Sequence, residues 1–307
     1  MTLEEAIAKI KPLDHNAMEI AQKRWDSIAK PLHSLGKLET LLIQIAGITG
    51  NAEVDLSRRG LIAMCADNGV VEEGVTQTGQ EVTAIVAENF LKYDTSVGVM
   101  CKQNHAEIFP VDMGMVTDTK VRTDHKIAYG TQNMTKGPAM TREQAVKGLE
   151  AGIDMVRELN DKGYRILATG EMGIGNTTTS SAVASVLLKQ PVEEMTGRGA
   201  GLTSEGLVRK INAIKKAIAL NKPDPEDAID VLAKVGGLDI AGMAGVFLGG
   251  AVYGIPVVMD GFISCVSALI AMRICPAARD YILASHVSNE PAAHLILENI
   301  GLSLIHI

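Results

Sequence analysis

Aromatic residues are nearly absent: four Phe, five Tyr and one Trp make up 3% of 307 residues. Any core must therefore be built from Val, Ile, Leu, Ala and Met. Cysteine is equally sparse. Cys65, Cys101, Cys265 and Cys275 are far apart, form no CxxC pair and lie in or beside apolar stretches. That pattern argues against disulfides or a metal centre and for buried, reduced thiols in a cytoplasmic protein. Positive charge is lacking too. The net charge of −7 excludes non-specific binding to nucleic acid or to an anionic membrane surface, so any phosphate must be held locally. The amino-terminal MTLEEAIAKIKPLDHNAMEI has no signal-peptide apolar run or cleavage site, and export is not expected. The seven histidines show no HxH or HExxH spacing, so no metal is expected. His286, in ASHVSNEP, has no paired Ser or Cys nucleophile and reads as a satisfied hydrogen-bonding group. There is no internal repeat.

One charge-free run, IAGMAGVFLGGAVYGIPVVM at 240–259, is long enough to span a bilayer. Its glycines, Pro256 and acidic flanks without a basic anchor favour a small-residue helix followed by a buried strand.

What is present is 47% hydrophobic residues, 30 glycines and a rhythm. From Leu61 onward, short apolar runs end in polar or glycine-rich turns: LIAMC before ADNG, AEIFPV before DMGM, YRILA before TGEMGIGN, IPVVM before DGF, and YILA before SHVS. Helical patterns follow most of them. This predicts an α/β fold with a mainly parallel, doubly wound, Rossmann-like sheet. Residues 1–58 read as a smaller helical domain, 59–290 as the α/β domain, and 291–307 as the start of a further helical segment. In such sheets ligands bind beyond the carboxyl ends of the strands. Asp67, Asp112, Glu171, Asp260 and Ser288 thereby become candidates for one crevice.

The segment GEMGIGNTTT (Gly170–Thr179) follows a strand and precedes a helix expected to start among Thr177, Thr178 and Thr179. Glycines that let backbone approach an anion, hydroxyls able to cap, and a helix N-terminus together suit phosphate or ribose. No Lys follows the glycines and GxGxxG is not matched, so this is not a Walker or dinucleotide loop. Glu171 could accept from a ribose hydroxyl or stabilise positive charge on a sugar, unless it is simply a solvated carboxylate. A second glycine-rich turn, TGRGAG (Thr196–Gly201), precedes a helix carrying Lys210, a phosphate partner or a solvent-facing lysine. Gln77 and Gln80, in GVTQTGQEVT, could face a planar heterocycle, or Gln80 could sit in the first turn of the next helix.

These residues lie within blocks that closely resemble the nicotinate-nucleotide:dimethylbenzimidazole phosphoribosyltransferase family. The blocks are RWDSIAKPLHSLGKLE, ADNGVVEEGVTQTGQEVT, DMGM, GTQNMTKGPAMT, GEMGIGNTTTSSA, TGRGAGLTSEGLVRK, DVLAKVGGLDIAGMAG, PVVMDGFIS and SHVSNEP, in order through nearly the whole chain. The resemblance implies transfer of 5-phosphoribose from nicotinate mononucleotide to 5,6-dimethylbenzimidazole, with no cofactor, in a homodimer. It places Glu171 as the catalytic group, with Gly173, Ile174 and Gly175 around the ribose phosphate. Asn176, Lys210, Asp239, Asp260 and Ser288 join the substrate-binding set, and Gln80 faces the benzimidazole. The family's general base, a glutamate in an LGEG-type motif, has no counterpart up to Ile307. The expectation is nucleotide binding with turnover reduced by about 10²–10⁴-fold. The alternatives are a non-catalytic nucleotide- or benzimidazole-binding homologue, or transfer to a different aromatic acceptor such as another benzimidazole, a purine or a phenol.

Overall fold

The apolar runs become five strands in the computed structural model, which describes residues 1–302. They are β1 (Arg59–Ala66), β2 (Ala106–Gly114), β3 (Ile166–Met172), β4 (Val257–Met259) and β5 (Ile282–Ala284). All pair in parallel, in the order β2-β1-β3-β4-β5. The expected parallel α/β sheet is present. Residues 303–307 of the expected C-terminal segment lie outside the described residues.

The helices are α1 (Leu3–Ile7), α2 (His15–Ser27), α3 (Lys37–Thr49), α4 (Glu81–Lys92), α5 (Ser96–Gln103), α6 (Arg142–Asp161), α7 (Asn176–Leu187), α8 (Val192–Met195), α9 (Ser204–Asn221), α10 (Ala228–Val235), α11 (Leu238–Tyr253), α12 (Phe262–Ile274) and α13 (Ala292–Asn299). Alternation along β1 sends Ala63 and Cys65 into a small cluster with Ala87 and Phe90 of α4 and Cys101 of α5. Ile62 and Met64 enter the main core with Leu149 of α6 and Phe247 of α11. Helices thus cover both faces. All four cysteines are buried and unpaired.

Helix starts follow local chemistry. Thr141 and Gln144 form a reciprocal capping box at α6, and Thr203 caps α9. The same box, Thr2 with Glu5, starts α1, which is seated on the body by Leu3 N–H donating to Glu150 Oε1 at 3.0 Å.

The charge-free run divides as its pattern predicts, into α11 and β4 around a left-handed Gly254. Helix α11 is buried against α6 at a backbone-to-backbone crossing. A Cβ added at Gly245 would lie 2.0 Å from Leu149 O, so no larger residue fits there. Among the described residues, no helix is long and apolar enough to cross a membrane.

Connections from β1 run to β2 on one side, and the chain later returns as β3 on the other. That change of direction sets the loops after β1 and β3 side by side.

Candidate functional site

Glu171 lies next to last in β3, in register with Met64 of β1, and the turn Gly173–Gly175 carries the chain from the strand into α7. Gly175 has φ +97° and occupies the N-cap position without a side-chain cap. At Gly173 a Cβ would lie 2.4 Å from Asp239 Oδ2 and 2.6 Å from Ala66 O. One glycine is required by conformation and the other by close approach. With Gly175 as cap, α7 begins at Asn176, one residue earlier than the three threonines suggest, and Thr179 Oγ1 donates back to Asn176 O at 3.1 Å.

A crevice of about 510 Å³ lies at the carboxyl ends of β3, β4 and β5, lined by Glu171, Thr177, Asp260, His286, Ser288 and Glu290 among others. A smaller hollow of about 130 Å³ adjoins the turn, lined by Val75–Thr78, Gly173–Thr177, Arg198, Ala200 and Leu202. Thr177 belongs to both.

Three predicted residues, Glu171, Asp260 and Ser288, meet in the crevice. Gly173, Ile174, Gly175 and Asn176 line the hollow. The Ile174 N–H is already donated to Thr83 Oγ1 at 3.1 Å, so this amide is engaged. Lys210 and Asp239 lie behind these walls, each fully buried. Gln80 lines neither space, but its Nε2 donates to Asn68 O at 3.2 Å, and Asn68 Nδ2 donates to Ile174 O at 3.5 Å. It supports the turn at one remove.

Two other strand-end acids do not line the crevice. Asp112 accepts from Met115 N–H at 2.7 Å and is paired with Lys126 at 3.1 Å. Asp67 is buried and accepts from Val116 N–H at 2.8 Å, and burial raises its carboxyl above the usual range.

The electrostatic centre is a carboxylate pair. The Asn176 amide nitrogen donates to Glu171 Oε2 and, at 3.0 Å, to Asp239 Oδ2. Burial, followed by the charge of Asp239, pushes Glu171 up to about 8; burial pushes Asp239 up to about 6. A site built this way resists carrying two negative charges when empty, and it favours a cation. Lys210 Nζ donates to Thr177 Oγ1 at 2.9 Å and Gly197 O at 3.1 Å, and burial lowers its ammonium to about 8.

Three residues that border the crevice are not marked as site residues by the sequence alone. Thr177 reads there only as part of a hydroxyl cluster, and its role as a wall shared by two spaces depends on the path of the turn. His286 borders the crevice. Its Nδ1 lies 2.9 Å from Ser285 Oγ, which itself donates to Met259 O at 2.6 Å. Glu290 bonds Gly199 N–H at 2.9 Å. The SHVSNEP block is the available signal for both His286 and Glu290.

Outside this region, Asp124, His125 and Glu158 bring potential ligand atoms within 4.8 Å of one another. Arg122 already donates to both carboxylates, so a metal ion would have to displace a guanidinium.

A family model described as phosphoribosyltransferase matches residues 10–306. The chain belongs to the phosphoribosyltransferase family. This phosphoribosyltransferase is 52% identical over 305 residues to the nicotinate-nucleotide–dimethylbenzimidazole phosphoribosyltransferase of Ruminiclostridium cellulolyticum, covering 99% of the chain and 87% of that protein. The same-named protein of Clostridium acetobutylicum is 51% identical, with 98% and 86% covered. Its fold matches the crystal structure of CobT from Thermus thermophilus at a TM-score of 0.89 and 36% identity, covering 95% of this phosphoribosyltransferase and 88% of that chain.

Proposed function

We propose that this phosphoribosyltransferase transfers the 5-phosphoribosyl group of nicotinate mononucleotide to 5,6-dimethylbenzimidazole, giving α-ribazole 5′-phosphate and nicotinate. The observation that carries this reading is the pair Glu171–Asp239, the first at the crevice wall and the second buried behind it, joined by Asn176 at the start of a glycine-turned helix. The names of the relatives agree with it.

The donor carries its positive charge on the pyridinium nitrogen. As the bond from C1′ to that nitrogen breaks, its electron pair leaves with nicotinate and positive charge builds on the ribose. Glu171, at the crevice edge, becomes ionised when the cation arrives and stabilises that charge as it develops. Asp260 and Ser288 offer polar atoms to the ribose and phosphate, and Lys210 supplies the nearby positive charge. Gly173, Ile174 and Gly175 shape the wall between donor and acceptor. The acceptor occupies the hollow beside Val75, Ile174 and Leu202, with Gln80 supporting its wall through Asn68. The unprotonated ring nitrogen of the benzimidazole attacks C1′ from the face opposite the leaving nicotinate, which inverts that centre, and the N–H on its other ring nitrogen passes its proton to solvent water.

The protein is further proposed to act in the cytoplasm as a homodimer. Exposed Ile28, Leu32, Leu35 and Leu38, at and around the α2–α3 connection, are the apolar surface that supports pairing. Residues 1–58 are taken as its smaller helical domain and 59–290 as its nucleotide-binding domain.

The test is release of nicotinate from nicotinate mononucleotide in the presence of dimethylbenzimidazole, with Glu171→Gln as control. The expected loss in the variant is about 10²–10³-fold. Equal rates would remove Glu171 from the mechanism. A homologue that binds without turnover is favoured by one observation: among the described residues, no carboxylate lines the acceptor hollow. Donor binding without nicotinate release would establish that second reading.

A further inference from the structure

Glu290 stands on the loop after β5, outside the set of residues assigned to substrate. Its backbone N–H donates to Ser288 Oγ at 3.2 Å, fixing the turn that leads to it. Its Oε1 accepts from Gly199 N–H at 2.9 Å, in the TGRGAG turn. Its Oε2 lies so close to residue 197 that a Cβ there would be 2.1 Å away, and this oxygen is buried without a hydrogen-bond partner. A buried carboxylate oxygen left unpaired is costly unless a nearby positive charge compensates it.

That charge is Lys210. Its ammonium is fully buried and hydrogen-bonded to two neutral acceptors, one of them Gly197 O in the same turn. A lysine with three N–H donors and two acceptors has one donor not spent on the protein. Other charged groups on the elements around α9 are engaged elsewhere or exposed. Glu193 pairs with Lys215, Glu72 with Lys136 and Asp230 with Lys234, Glu73 bonds Thr135, and Glu194 is exposed. Glu290 is the carboxylate whose field reaches Lys210 and favours its charged form, against the opposing effect of burial.

We propose that Glu290 is a positioning residue that serves as the counter-charge of Lys210 and clamps the 197–199 turn, keeping Lys210 ready for the 5′-phosphate of the donor. The proposal rests on the functional reading above for the identity of the donor. Lys210 then links three segments: α9 through its own backbone, α7 through Thr177, and the 197–199 turn through Gly197. Glu290 fixes that turn through Gly199 N–H. An arriving phosphate supplies the negative charge that Glu290 supplies to the empty site.

The test is calorimetric binding of nicotinate mononucleotide, and separately of inorganic phosphate, to the full chain and to Glu290→Gln between pH 6 and 9. The amide keeps an acceptor for Gly199 N–H and removes only the charge. At pH 6, where Lys210 is protonated in both proteins, the two are expected to bind within about two-fold. Near pH 8 the variant is expected to be weaker by about 5–10-fold, because loss of the counter-charge makes Lys210 lose its proton at lower pH, and one unit is a factor of ten. Taking the ratio of variant to wild type cancels the titration of the phosphate and of Glu171. A second variant, Lys210→Met, should abolish the pH dependence of that ratio when combined with Glu290→Gln.

A ratio that is constant with pH overturns the proposal, because a purely structural clamp weakens binding equally throughout. Failure of the wild type to bind either probe overturns it as well. Nicotinate release from the wild type is scored separately. Its absence alongside the expected ratio defeats the transferase reading and leaves the Glu290 role standing. Its presence alongside a flat ratio does the reverse.

Discussion

Glu171 and Asp239, from strand β3 and helix α11, converge on the single side-chain nitrogen of Asn176. Two acids that compete for one donor in a buried setting cannot both ionise freely. The site therefore holds back one of its negative charges until a cation is present.

Asp239→Asn removes the charge that, after burial, does most to keep Glu171 protonated. Glu171 then ionises at lower pH. In a profile of kcat/KM for nicotinate mononucleotide, the acidic limb should move down by about one pH unit. An unmoved limb would show that Asp239 does not act on Glu171.

Both carboxyls bind protons more tightly in the folded chain than in the unfolded one. Their contribution to stability is complete below the ordinary carboxyl values and is lost as pH rises through about 6 for Asp239 and about 8 for Glu171. Scanning calorimetry without ligand should show Tm falling by about 5 °C between pH 5.5 and 8. Glu171→Gln should flatten the fall. A Tm that climbs across this window contradicts the assignment. Lys210, lowered to about 8, does not reverse the trend there, because its own contribution grows only above that value.

Gly173→Ala would drive a methyl group against Asp239 and the Ala66 carbonyl. Urea denaturation should register a loss of about 2–3 kcal/mol. Gly137→Ala is the matched control, since a Cβ there meets nothing within 4 Å, and it should stay within about 0.5 kcal/mol of wild type. Similar losses in both variants would mean that the close approach at 173 carries no special weight.

The five strands are legible because each apolar run stops at a polar turn, which is how a buried parallel strand reaches a ligand-facing edge. Glu171, Asp260 and Ser288 are legible for the same reason, since all three follow or end such runs. Asp112 fits the same pattern, but Lys126 pairs with it, a contact made by a long side chain that no spacing announces. The start of α7 falls one residue earlier than expected because hydroxyls are good caps in isolation, whereas here a left-handed glycine fills the cap position and Thr179 bonds backward into the helix. Glu290 is hidden in the sequence because its importance depends on where α9 places Lys210, a relation between segments distant along the chain.

The crossing of α6 and α11 ties distant residues to the chemistry. Helix α11 carries Asp239 in its first turn and, further along, Gly245 pressed against Leu149 O. The helix acts as a rigid rod, with the acid at one end and a backbone bearing along its length. A single methyl added at Gly245 would push on the bearing and swing the acid. Such damage would reach an assay as a displaced pH optimum, resembling an active-site lesion although the altered atom never meets the substrate.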